Sequence, residues 1–238
     1  MVPMSLPLRL VLTLPLACAS VAPSLAQPTK SAVVQEILDG KELYIDQQQA
    51  RVNQQARAPQ LVSTGGSRGQ LAFDSGAVGR LNRQSQLRLG SSCFVLDRGQ
   101  LLVSGKEGGC TRSARLSVRG TNYLLDVNEA GDTEISVLEG EVEVQSSRDG
   151  EVLEGQPVTT LKAGERLRLS PEGVVLALLA LSSGDYTRIV TGPLFKGFNL
   201  PLPAQDALDS YLRSYLPSVP IPGAGSLPGL GRFGFGFF

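Results

Sequence analysis

The sequence predicts a mainly β protein: a solenoid-like β-roll or sandwich of short strands, followed by one or two short C-terminal helices. Three observations carry this. Apolar and polar residues alternate from Leu61 to Val144, glycine-centred turn signals break that alternation at short intervals, and the best helical spacing lies late in the chain, at Ala204–Leu216. Alternation with a period of two places apolar side chains on one face of a pleated strand and solvated ones on the other. Strands of that kind need a second sheet, or a closed roll, to cover the apolar face.

In chain order, Val33–Leu38 is apolar-rich, Asp39-Gly40 is a hairpin-type turn, and Leu43 and Ile45 continue the pattern. This reads as a strand pair opening the domain. Gln47–Arg57 is glutamine-rich, with Val52 as its only large apolar residue, and reads as a solvated strand or loop. The alternation then runs through Leu71 and Phe73, Leu87 and Leu89, Ala114 to Val118, Tyr123 to Val127, Val142 and Val144, and Leu167 and Leu169. Turn signals separate these sets at Ser75-Gly76, Arg98-Gly99, Gly105–Gly109, Ala130-Gly131-Asp132, Asp149-Gly150, Ala163-Gly164 and Glu172-Gly173. An apolar residue two or three places before a glycine recurs at Leu96–Gly99, Leu138–Gly140, Leu153–Gly155 and Leu161–Gly164, which suggests strands stacked through similar corners. Gly120 interrupts a run of strand residues, as at a bulge or a close backbone approach.

Val174–Leu181 is apolar throughout, too short to span a membrane, and reads as a buried strand or the edge of the core. Ser182-Ser183-Gly184-Asp185 starts a short helix through Arg188 and Ile189, stopped at Gly192-Pro193. In Ala204–Leu216, Leu208, Tyr211, Leu212, Tyr215 and Leu216 line one helical face, and Pro217 ends it. The expected organisation is a signal peptide over 1–26, an all-β domain over 31–181, a helical appendage over 182–216, and a disordered Pro/Gly/Phe-rich tail over 217–238.

The first 26 residues join an apolar run, Leu10 to Ala19, to Ser24-Leu25-Ala26, whose small residues suit a signal-peptidase site. The alternatives are an uncleaved anchor and lipidation at Cys18. Export to the periplasm or cell envelope is the expectation, with no transmembrane span in the mature chain. Past the signal, Cys93 and Cys110 are the only cysteines, and an even pair in an oxidising compartment reads as a disulfide. Zinc is a poor rival, because the chain contains no histidine.

Lys and Arg number 22 against 22 Asp and Glu, so the chain has no electrostatic footprint for nucleic acid. Without histidine the Ser-His-Asp and Cys-His constellations are excluded, and no Ser-x-x-Lys motif occurs. Thr64-Gly65-Gly66-Ser67-Arg68-Gly69 lacks the lysine and the following helix of a phosphate loop, so it reads as a turn between strands. A carboxylate pair could in principle serve a glycosidase, but aromatic platforms for sugars are sparse. The expectation is therefore a non-enzymatic chain with no cofactor and no metal. Two charged groups offer a contact surface: Arg112, Arg115 and Arg119, with Arg80, Arg83 and Arg88 nearby in sequence, and Glu139, Glu141 and Glu143, alternating on what reads as the solvent face of one strand. A solvated sheet face is the competing reading.

One ordered series of motifs goes further. It runs Leu61-Val62-Ser63-Thr64-Gly65, Leu71-Ala72-Phe73-Asp74-Ser75-Gly76-Ala77, Arg80-Leu81-Asn82-Arg83-Gln84-Ser85 and Leu96-Asp97-Arg98-Gly99-Gln100-Leu101-Leu102-Val103. It closes with Val118-Arg119-Gly120-Thr121-Asn122-Tyr123 and Val137-Leu138-Glu139-Gly140-Glu141-Val142. In this series the block from about Ser31 to Val144 resembles the FecR domain, with Val118, Arg119, Gly120, Thr121, Leu138 and Gly140 as the most characteristic positions. The resemblance implies an all-β, solenoid-like periplasmic domain without catalytic residues. In its best-known members that domain relays the state of a TonB-dependent outer-membrane transporter to a cytoplasmic sigma factor, through an N-terminal cytosolic domain and a transmembrane helix. This chain looks more like the stand-alone exported members. The first functional expectation is therefore binding of another envelope component, protein or glycan, through a rigid β-surface. The second is a signalling adaptor of the iron-uptake regulator type, and the third a carbohydrate-active enzyme.

Overall fold

The computed structural model describes residues 30–90, 92–148, 151–153, 155 and 157–222. The expected signal peptide, Cys18, the Asp149-Gly150 turn and most of the tail lie outside the described residues. The described residues are mainly β, at 48% strand and 10% helix. Its strands, in order, are β1 (Ser31–Leu38), β2 (Leu43–Ile45), β3 (Gln48–Gln49), β4 (Gln55–Arg57), β5 (Leu61–Thr64) and β6 (Arg68–Phe73). There follow β7 (Val78–Leu81), β8 (Gln86–Arg88), β9 (Phe94–Gly105), β10 (Gly109–Cys110), β11 (Ala114–Val118) and β12 (Thr121–Val127). The last are β13 (Thr133–Glu139), β14 (Glu141–Arg148), β15 (Glu151–Val152), β16 (Thr159–Lys162), β17 (Glu165–Leu169) and β18 (Val175–Ala180), before the helices α1 (Ser183–Val190) and α2 (Gln205–Tyr215).

All the strands join one continuous sheet that has two halves. The first half runs β4–β1–β6–β7–β9–β12–β13–β17–β18, every pair antiparallel. The second runs β3–β2–β5–β8–β9–β10–β11–β14–β16, antiparallel except for the β9–β10 pair. The long β9 belongs to both, changing halves at Gly99. Apolar residues of the two halves meet in a single cluster, including Val34, Leu71, Tyr123, Ile135 and Leu167 from the first and Leu43, Val62, Leu87, Leu116 and Val144 from the second. The alternating pattern produces this directly: one face of each strand is dry because the other half covers it.

The chain winds back and forth between the halves, turning at corners such as Gly99, Gly120, Gly140 and Gly164, all at positive φ. Three of the recurrent Leu-to-Gly units are therefore corners, as expected. The opening of the domain is not as expected. Leu38 and Leu43 do not form a hairpin, because β1 pairs with β4 and β6 in the first half while β2 pairs with β3 and β5 in the second. Asp39-Gly40 is a corner between halves, and Arg68 and Arg83 hold its carboxylate.

The helices cover the outer face of the first half. Ser182 caps α1 by accepting from the Asp185 amide, and the Asp185 side chain returns the bond to the Ser182 amide, a complete capping box. Tyr186, Val190, Leu208 and Leu212 pack on Val78, Leu102 and Leu138 in a second apolar cluster. Val219 is buried in it and Ile221 packs against it, so packing continues past Pro217, where the sequence suggested that disorder begins. Of the two readings of Val174–Leu181, a buried strand or the edge of the core, the structure departs from the first and places it at an edge. β18 is the outermost strand of the first half and its side chains are largely exposed. Among the described residues no helix is long and apolar enough to cross a membrane.

Candidate contact surface

With α1 and α2 on the outer face of the first half, the outer face of the second half is, among the described residues, the broad sheet surface left open. Its registers assemble a polar field. Arg115 lies opposite Gln145 and Ser117 opposite Glu143 across the β11–β14 ladder, while Glu143 faces Thr160 and Glu141 faces Lys162 across β14–β16. Arg119, just past the end of β11, reaches Glu143 at 3.5 Å, and its amide donates to the Glu141 carbonyl oxygen. The Arg119 side chain is 78% exposed, so this ion pair adds little stability and leaves the charge available to a partner.

The register carries the same row across the disulfide. Cys110 lies opposite Arg115 on one side and beside Val95 on the other. It is bonded to Cys93, with Cα atoms 5.9 Å apart. The bridge therefore ties the short β10 to the start of β9 beside the charged field. Farther along, Arg88 pairs with Asp97 at 3.3 Å.

The sequence-derived surface is thus only partly contiguous. Arg115, Arg119, Glu141 and Glu143 share this face. Arg112 is exposed but precedes β11, and its carbonyl oxygen accepts from the Ser147 hydroxyl. Glu139 does not alternate with Glu141. Gly140 stands between them as a corner, so Glu139 ends β13 in the first half while Glu141 begins β14 in the second. There Glu139 accepts from the Asn122 amide group at 3.1 Å, and Asn122 also donates to the Ala204 carbonyl oxygen at the start of α2. Burial raises the Glu139 pKa, and the Asn122 hydrogen bond partly opposes the rise.

Val118, Arg119, Gly120 and Thr121, and Leu138 with Gly140, form two neighbouring corners. A Cβ on Gly140 would come within 2.6 Å of Thr121 Cγ2 and 2.8 Å of the Gly120 carbonyl oxygen. The two motifs are separate in sequence because each is a crossing of the same seam. Leu138 has a further part: its side chain lies in the second apolar cluster and its carbonyl oxygen accepts from the Tyr186 hydroxyl at 3.0 Å.

Of the other arginines, Arg83 is exposed and pairs with Asp39, whereas Arg80 is buried in the opposite half. Arg80 donates to Gln70 Oε1 and to the carbonyl oxygens of Leu194 and Leu200. Arg68 is likewise buried; it pairs with Asp39 and donates to the carbonyl oxygens of Pro193 and Lys196. Phe198 lies over both guanidinium groups, at 5.5 Å from Arg68 and 4.3 Å from Arg80. Glu36 completes this clasp by accepting from the amides of Asn199 and Leu200. The loop between the helices is fastened to the sheet by this group, which strand alternation alone does not reveal.

A family model described as FecR protein matches residues 60–143. That span runs from the residue before β5 into β14 and contains the disulfide and both motif corners. Two crystal structures of a candidate anti-sigma factor from Parabacteroides distasonis are similar at 16% and 17% identity, each with a TM-score of 0.45. They cover 64% of this chain, and the matches span 73% and 72% of theirs. No curated protein matches the chain.

Proposed function

We propose, from the match of residues 60–143 to the FecR family model, that this chain acts as a non-catalytic periplasmic signalling adaptor, of the type that couples transporter occupancy to transcription. The family match carries this reading, and it favours a regulatory partner over binding of an envelope component for its own sake. Recognition by a rigid sheet face is the physical act in either case. The field around Arg115, Arg119, Glu141, Glu143 and Lys162 supports a protein partner, since both signs of charge are interspersed on it and a partner of complementary pattern gains both orientation and association rate.

The adaptor reading is tested in the host. Deleting the gene should abolish substrate-dependent induction of an outer-membrane transporter operon, and the double variant Arg115→Glu, Arg119→Glu should reproduce the loss at normal protein level. A photo-cross-linker at position 115 should capture a membrane-embedded regulator or transporter. Unchanged transcription on deletion, with cross-links to envelope glycan alone, would return the chain to simple glycan binding.

A further inference from the structure

We infer that β18 pairs with β18 of a second copy of this chain, antiparallel, so that the first half-sheets of two molecules become one sheet. Among the described residues, β18 is hydrogen-bonded to β17 alone, leaving its other edge open. Val174, Val175, Leu176, Leu178 and Leu179 are between 48% and 60% exposed, and they are consecutive apart from Ala177. An exposed run of this kind is a template for strand addition unless it is covered or charged.

The other ends of the two half-sheets show how this chain protects an edge. β3 is two glutamines, β4 is Gln-Ala-Arg, and β16 is four residues ending in Lys162. Each is short and polar. β18 is six residues long and uncharged, with one bulge at Leu176 where its register with β17 shifts. It is also anchored at both ends. The Ser170 amide donates to the Val174 carbonyl oxygen, the Leu181 amide donates to the Gly164 carbonyl oxygen, and the Leu181 side chain is buried beneath the helices. A fixed edge loses little conformational entropy on pairing.

Charge selects the occupant. Two identical antiparallel strands meet about a two-fold axis, where any charged residue faces its own kind at close range. No charged side chain occurs from Val174 to Gly184. Of the charges on β17 behind the strand, Arg166 and Arg168 are both paired with Glu134, at 3.1 and 3.9 Å, and Glu165, opposite Ala180, accepts from the Lys162 amide at 2.7 Å. Self-pairing therefore sets apolar side chains against apolar side chains on both faces, with no lone charge buried. A strand bearing Lys or Glu would lose that match.

Sedimentation of the purified chain, in the form to which the cell processes it, tests the pairing. At roughly 100 µM a two-copy species is expected, in the range of small interfaces. Leu178→Lys, which places like charges near the axis, should weaken it by at least about tenfold. Leu179→Lys on the opposite face serves if Leu178→Lys fails to fold, with circular dichroism as the check. Three results would overturn the inference: single copies only, a two-copy species unaffected by either lysine, or pairing that appears only once residues 223–238 are removed. The last would identify the chain's own C-terminal segment as the occupant.

Discussion

Arg80 Nη1 lies 3.1 Å from the carbonyl oxygen of Leu194, donating to it from a side chain that is 4% exposed. Burial lowers the Arg80 pKa to about 10, with Glu36 opposing the shift and Arg68 adding to it, so the group stays charged at neutral pH. A buried cation is tolerated only when its donors are engaged. Here they meet Gln70, Leu194 and Leu200. Arg80→Leu removes all three bonds and strands their acceptors, and should cost about 3 kcal/mol in urea unfolding. Hydrogen exchange should then rise more in α1 and α2 than in β12. Arg80→Lys should restore little, because a single ammonium cannot reproduce the planar fork.

The Gly140 corner gives a sharper backbone test. Its φ of +83° is costly for any residue with a Cβ, and the space is already taken by Thr121 and the Gly120 carbonyl oxygen. Gly76 has nearly the same φ, +84°, with nothing within 4 Å of the added atom. Gly76→Ala should therefore cost about 1 kcal/mol, from conformation alone. Gly140→Ala should cost about 3 kcal/mol or more, because conformation and clash add. Equal denaturation midpoints for the two variants would refute the close packing of the motif corners.

The winding itself was largely readable from the residues. Alternation gives each strand a dry face, and a glycine at positive φ marks a change of direction whatever lies around it. What such signals omit is the partner. Asp39-Gly40 has the local chemistry of a hairpin, yet the strands on either side of it go to different half-sheets, and only tertiary pairing decides that. Glu139 looks continuous with Glu141 until Gly140 is recognised as a corner. Val174–Leu181 has the composition of a buried strand, and composition alone cannot say whether a second strand covers it. Arg80 finds two acceptors 114 and 120 residues farther along the chain, beyond the reach of any local pattern.

Glu139 should give the seam beside α2 a pH dependence. Its folded-state pKa is raised, chiefly by burial, so the folded chain favours the protonated acid more than the unfolded chain does. The resulting stabilisation is complete below the unfolded value of 4.5 and is lost as pH rises through the folded value. Glu139→Gln retains an acceptor for Asn122 without a titrating charge. The stability of the native chain relative to Glu139→Gln should therefore improve on going from neutral pH to about pH 4.5. Urea midpoints of both proteins at the two pH values measure it, and a constant difference would place Glu139 in a solvated setting.

Reduction of Cys93–Cys110 should weaken the domain without dissolving it. Of the main apolar cluster, only Phe94, Leu96, Leu101 and Val103 lie between the two cysteines, and all four sit on β9. That strand is held by ladders to β7, β8 and β12, none of which contains a bridged cysteine. What the bridge constrains is the unfolded chain, together with the two-residue β10. Loop closure of this length stabilises by roughly 3 kcal/mol in the chain-entropy model. For a domain of this size that corresponds to a fall in Tm of roughly 10 °C. Thermal unfolding with and without reductant, alongside Cys93→Ser, Cys110→Ser, reads this shift. A native far-ultraviolet spectrum at room temperature after reduction is expected, because the ladders around β9 remain closed. Complete loss of the β signal on mild reduction would show that β9 is held in place by the bridge rather than by its neighbours.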